Sequence, residues 1–171
     1  MQIYVNQHCR QTQDGTRERP FGTIGQAAAA AMPGDEVIVF PGVYREWVQI
    51  PRGGSDSARP IVYRSFLPRG AVISGAEILT GWKAENGGIY RTDYPDPRQE
   101  DQEAASVPGQ LFRNSDPLLP AETPDALAQN RDSWFAAREN GRTVIRVNLG
   151  GLDPNREQME LSVRPVCLSP V

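Results

Sequence analysis

The sequence predicts a mainly β chain that opens as a solenoid of stacked parallel strands. Between Met32 and Ala76, four short apolar runs (residues 37–40, 47–50, 61–63 and 72–74) follow one another. Each is bounded by Gly, Pro or Asp and is too short for a helix. The step from Val37 to Ile61 equals the step from Val48 to Val72, 24 residues in each case, as stacked coils require. The connections run to roughly ten residues, where antiparallel hairpins, the competing arrangement, prefer about two to five.

Composition narrows the class. A chain of 171 residues can bury a core, and its 16 Gly and 15 Pro favour turns over long helices. The net charge of −3 and scattered basic residues exclude the footprint of a nucleic-acid or anionic-membrane binder. No apolar run reaches the roughly 18 residues of a membrane span. The first ten residues, MQIYVNQHCR, lack the pattern of a secretion signal. Cys9 and Cys167 lie far apart with no CxxC, which reads as two free thiols in a reducing, cytoplasmic compartment. His8, the one histidine, has no partner at ligand spacing. Neither a metal nor a cofactor is expected.

In chain order, residues 2–6 alternate Ile3 and Val5 with polar neighbours, an opening strand, and residues 7–19 form a polar loop. Residues 20–32 (PFGTIGQAAAAAM) predict a helix capped by Thr23 or Gly22 and ended by Pro33-Gly34. Phe21, Ile24, Ala28 and Ala31 share its apolar side, suited to covering the open end of a first coil. An Ala-rich docking helix for another protein is the alternative. After the strand at residues 36–40, Pro41-Gly42 turns the chain into residues 43–50, VYREWVQI.

Tyr44, Arg45, Glu46 and Trp47 place aromatic rings beside a charge pair, the composition of a sugar site, because rings stack on pyranose faces while charged groups bind hydroxyls. The same residues also suit plain packing between coils, with Arg45 and Glu46 in solvent. Trp82 is a further stacking candidate. Glu46 and Asp56 are the acids nearest the repeat.

Past Ala76 the 24-residue step stops. Asn86-Gly87 marks a hairpin turn, and residues 93–106, acidic and Pro-containing, read as a linker or loop. Alternating strands at residues 107–113, 133–137, 143–149 and 159–164 suit an antiparallel sheet with one wet face. Residues 125–130 suit one helical turn, and Asp153-Pro154-Asn155 a tight one. The resulting division is residues 1–92 (cap and first coils), 93–106 (linker), 107–165 (a small β-sandwich-like element) and 166–171 (return to the coils).

The helix followed by PGDEVIVFPGVYREWV, a Gly-rich loop, PIVYRS and AVISGAE resembles the N-terminal end of right-handed parallel β-helix proteins of the pectate-lyase-like (pectin lyase-like) superfold. GVYREWVQIPRGG, ISGAEILTGWK and VIRVNLGGLDPNREQMELSVRPVCLSP look most like the β-xylosidases of glycoside hydrolase family 120. The resemblance covers most of the chain and thins between Asp93 and Arg142. It implies a right-handed parallel β-helix with an N-terminal capping helix and a β-sandwich-like insertion after Ala76. It also implies that the carboxylates of a retaining hydrolase lie on coils downstream, so no residue here takes a catalytic role.

Two functions follow. One is the N-terminal portion of a hydrolase of xylo-oligosaccharides, inactive alone. The other is a non-catalytic sugar-binding or structural module, with Tyr44, Glu46, Trp47 and Trp82 as its carbohydrate contacts. Two copies fall short of the three or more that solenoids need, so self-association or further C-terminal coils are expected, with an oligosaccharide as partner.

Overall fold

The computed structural model describes residues 1–55, 58–94 and 109–170. Asp56 and most of the expected linker lie outside the described residues. The fold is mainly β, with both parallel and antiparallel strand pairings. It divides into two compact units, Met1–Gly75 with Arg164–Val171, and Ala76–Val163.

The first unit contains β1 (Gln2–Val5), α1 (Ile24–Ala30), β2 (Glu36–Val39), β3 (Gly42–Arg45), β4 (Val48–Ile50), β5 (Val62–Ser65) and β6 (Ala71–Ser74). β1, β2 and β5 form a three-stranded parallel sheet, and β6 lies parallel on β3. Partners in register share one side of the sheet. Ile3, Val37 and Tyr63 line up on the inner side, as do Val5, Val39 and Ser65. On the outer side Glu36 accepts a hydrogen bond from Gln2 Nε2 (2.8 Å) and pairs with Arg64. The Phe40 and Phe66 rings stack 4.7 Å apart at the ends of β2 and β5.

Parallel stacking is present, but its register differs from the one expected. Tyr63, not Ile61, lies beside Val37, and Val72 lies beside Val43 rather than Val48. The cause is a third strand. Residues 43–50 form two strands, β3 and β4, because the chain bends at Glu46-Trp47. At that bend the Glu46 side chain leaves the strand to bind the first amides of α1, 21 and 22 residues earlier.

α1 is seven residues long, too short to persist alone. A capping box starts it: Thr23 Oγ1 accepts from Gln26 N, and Gln26 Oε1 accepts from Thr23 N. Ile24, Ala27, Ala28 and Ala31 are buried in one cluster with Ile3, Val5, Val37 and Val48. The small side chains let the helix backbone come close to the strands.

The second unit carries β7 (Ala76–Leu79), β8 (Lys83–Ala84), β9 (Ile89–Tyr94), β10 (Gln110–Arg113), β11 (Asp116–Pro117), β12 (Leu119–Pro120), α2 (Pro124–Gln129), β13 (Ser133–Glu139), β14 (Arg142–Asn148) and β15 (Met159–Ser162). β8 and β9 flank the Asn86–Gly88 turn, where Gly87 and Gly88 take φ of 73° and 77°. One sheet has the order β11-β10-β15-β7 and is antiparallel. The other, β12-β13-β14-β9-β8, is antiparallel except for its β12–β13 edge. The two share one core: Leu111, Met159 and Leu161 of the first cluster with Trp134, Ile145 and Val147 of the second.

The chain then returns to the first unit as β16 (Leu168–Pro170), parallel on β4. Thus β5, β6 and β16 each cover one strand of the preceding trio. Val37, Tyr44 and Val48 are at most 3% exposed, whereas their partners Tyr63 and Ile73 are half-buried and Leu168 is 49% exposed. Apolar side chains therefore remain partly open along these three outer strands.

Candidate functional site

The bend between β3 and β4 sends four successive side chains in different directions. Strand alternation turns Tyr44 inward, where burial pushes its phenol pKa up and its hydroxyl donates to the Phe40 carbonyl at 2.9 Å. Arg45 points outward and its Nη1 donates to Oγ of Ser74, its partner in register, at 3.5 Å. Glu46 turns back to α1: Oε1 accepts from Ile24 N and Oε2 from Gly25 N, both at 2.8 Å. A carboxylate there also meets the positive end of the helix dipole. Gly25 gives this approach room, since a Cβ at that position would lie 3.2 Å from Glu46 Oε2 and the carboxylate would have to shift by a few tenths of an ångström.

Trp47 is 48% exposed, and its Nε1 donates to Ser169 Oγ at 2.9 Å. The bond fixes the edge of the indole while much of the ring stays open to solvent. Gln49 and Ser169 are register partners on β4 and β16. The open part of the Trp47 ring can stack on an apolar sugar face, with the Ser169 hydroxyl at its edge able to hydrogen-bond a sugar hydroxyl.

The four residues expected to contact carbohydrate therefore do not converge. Tyr44 is in the core, Glu46 is a helix cap, and Trp47 is at the surface. Trp82 belongs to the second unit, 5% exposed, where its Nε1 donates to the Leu79 carbonyl and Asn155 holds its backbone on both sides. The sequence does not reveal Ser169. It lies 122 residues from Trp47, and the parallel pairing alone brings it alongside.

The second unit carries a charged face that sequence reading also passes over. Alternation in β9 (IYRTDY) and β14 (RTVIRVN) puts Arg91, Asp93 and Arg146 on one side of the sheet. Arg146 donates to Glu139 Oε1 at 2.6 Å and to Glu85 Oε2 at 2.9 Å, and Arg91 donates to Asp93 Oδ1 at 2.8 Å. These bonds hold the Glu139 and Asp93 carboxyls below their usual values. Among the described residues no group of three or more His, Cys, Asp or Glu could hold a metal ion. Cys9 and Cys167 are free thiols, and no helix among the described residues is long and apolar enough to cross a membrane.

No family model matches the chain. An uncharacterized protein of Bacillus subtilis (strain 168), YwoF, is 32% identical over 76 residues, 44% of this chain and 16% of that protein. Among solved structures, XylC in complex with xylose is similar over 100% of this chain, with a TM-score of 0.87 and 26% identity. A second, described as a glycoside hydrolase, covers 69% of this chain with a TM-score of 0.54 and 23% identity, a likeness of fold alone. The chain spans 33% of the XylC chain and 21% of the second.

Proposed function

We propose that this chain is the first part of a carbohydrate-active protein with a right-handed parallel β-helix, of the glycoside hydrolase family 120 kind. In this reading, the Ala76–Val163 unit is an insertion between successive coils. The observation that carries the proposal is the likeness of the whole chain to XylC bound to xylose. Xylo-oligosaccharides are the proposed ligands and Trp47 their stacking platform. The half-exposed Tyr63, Ile73 and Leu168 are what further coils or a second copy would cover. A single-chain mass by light scattering would remove the second copy. The two free thiols favour a reducing, cytoplasmic setting.

Hydrolysis with retention needs two carboxyl groups roughly 5–5.5 Å apart across the scissile bond. Glu46, the acid beside Trp47, already has both oxygens engaged by helix amides. That favours a second reading of this chain taken alone, a sugar-binding module without catalysis.

Trp82 and Trp134 are buried, at 5% and 3% exposure, so a saccharide in solution reaches Trp47 first. Titrating the chain with xylobiose is expected to change tryptophan emission. Trp47→Ala should weaken binding about tenfold, the loss of one aromatic contact of roughly 1–1.5 kcal/mol. A chromogenic xyloside should be cleaved no faster than in buffer. An unaltered emission, or a Trp47→Ala chain responding like the parent, would contradict Trp47 as the platform. Turnover of the xyloside would return a catalytic role to this chain.

A further inference from the structure

Across four neighbouring strands of the second unit, Phe135, Arg146, Arg91 and Lys83 stand opposite one another in register. Three cations in one row are unfavourable, because like charges directly opposite in an antiparallel pair repel. Glu85 and Glu139 neutralise Arg146, and Asp93 neutralises Arg91. Lys83 ends the row without such relief. Among the described residues nothing bonds to its ammonium, and Asp93 feels it only through space.

Beside Lys83 lies an open depression lined by Thr80, Gly81, Lys83, Arg91, Thr92 and Asp93. Its wall is fixed, since Thr92 Oγ1 donates to the Thr80 carbonyl at 2.8 Å. Gly81 leaves it open: a Cβ there would meet nothing within 4 Å. Counting Lys83, Arg91, Arg142 and Arg146 against Glu85, Asp93 and Glu139, the described residues of this face carry a net +1 in a chain of net −3.

We propose that this depression binds a sugar acid, its carboxylate between Lys83 and Arg91 and a ring hydroxyl on Asp93. Lys83 and Arg91 supply charge-assisted donors, although Arg91 Nη1 also lies 3.7 Å from Glu85 and from Glu139. Arg91 fills Asp93 Oδ1, while Oδ2, 3.9 Å from Arg142 Nη1 and beyond hydrogen-bond distance of it, can accept from a hydroxyl. A single negative charge balances the face. A phosphate brings more charge than that, and the excess is repelled by Asp93. The anion part of this inference stands on the charge row, and the sugar part rests on the function proposed above.

The test is a calorimetric titration of the full chain at low ionic strength with D-glucuronate, D-glucose and inorganic phosphate. Glucuronate should bind about tenfold more tightly than glucose, and more tightly than phosphate. The Lys83 side chain is exposed and its ammonium makes no bond among the described residues, so its variants should fold normally. Lys83→Ala should weaken glucuronate about five- to tenfold, and Lys83→Arg should restore most of that. Glucose binding equally well, phosphate binding more tightly, Lys83→Ala leaving glucuronate unaltered, or no glucuronate heat at roughly 10 mM would each overturn the inference. A glucuronate failure beside a normal xylobiose response at Trp47 would sink this site and leave the proposed function standing. Glucuronate binding without any xylobiose response would do the reverse.

Discussion

Leu161→Ala is expected to destabilise the Ala76–Val163 unit by about 3 kcal/mol, within the usual range for emptying a buried leucine site. Leu161 is fully buried on β15, in register with Leu111 on β10, and belongs to the core shared by both sheets of the unit. Neighbours on two sheets cannot collapse into the gap without breaking one ladder, so most of the cavity should persist. In a unit of this size the midpoint should fall by at least about 10 °C, at roughly 4–8 °C per kcal/mol. Thermal unfolding followed by circular dichroism measures it. A shift of a degree or two would mean that the two sheets do not share that core.

Glu46→Ala should cost the first unit about 2 kcal/mol, since both carboxylate oxygens are charge-assisted acceptors for helix amides. Removing them leaves the Ile24 and Gly25 amides seeking water at a partly buried helix start. Thr23 and Gln26 satisfy other groups and cannot substitute. Glu46→Gln should recover roughly half, because one oxygen still accepts while the amide –NH2 faces the second donor. Urea unfolding of the three chains gives the comparison. Equal stability of Glu46→Ala and the parent would return Glu46 to the list of groups available to a ligand.

The strands were legible wherever apolar runs are short and bounded by Gly, Pro or Asp. The strands expected at residues 36–40, 72–74, 143–149 and 159–164 are found at Glu36–Val39, Ala71–Ser74, Arg142–Asn148 and Met159–Ser162. The helix was legible too, since alanines ahead of Pro33-Gly34 and a T-x-x-Q start signal leave little choice. The register was not legible. Equal 24-residue steps suggested two strands per coil, but the side chain of Glu46 bends the chain toward a helix more than twenty residues away. That contact sits where residues 43–50 divide into two strands, so β6 pairs with β3 and not with β4. A periodicity count has no access to it.

The site was half legible for the same kind of reason. Trp47 beside Arg45 can be picked out from residue type, but nothing local separates the exposed Trp47 from the buried Tyr44 three positions earlier. Ser169 comes within 2.9 Å of the indole nitrogen only through parallel pairing of β4 and β16. Likewise the cation row Lys83–Arg91–Arg146 exists only after two antiparallel registers are fixed.

Parallel stacking in the first unit is most directly tested by nuclear Overhauser contacts between assigned side chains. The structure predicts contacts from the Val72 methyls to those of Val43, and from the Tyr63 ring to Val37. Contacts of Val72 with Val48 instead, or none between Tyr63 and Val37, would contradict the stack and remove the scaffold that brings Ser169 to Trp47.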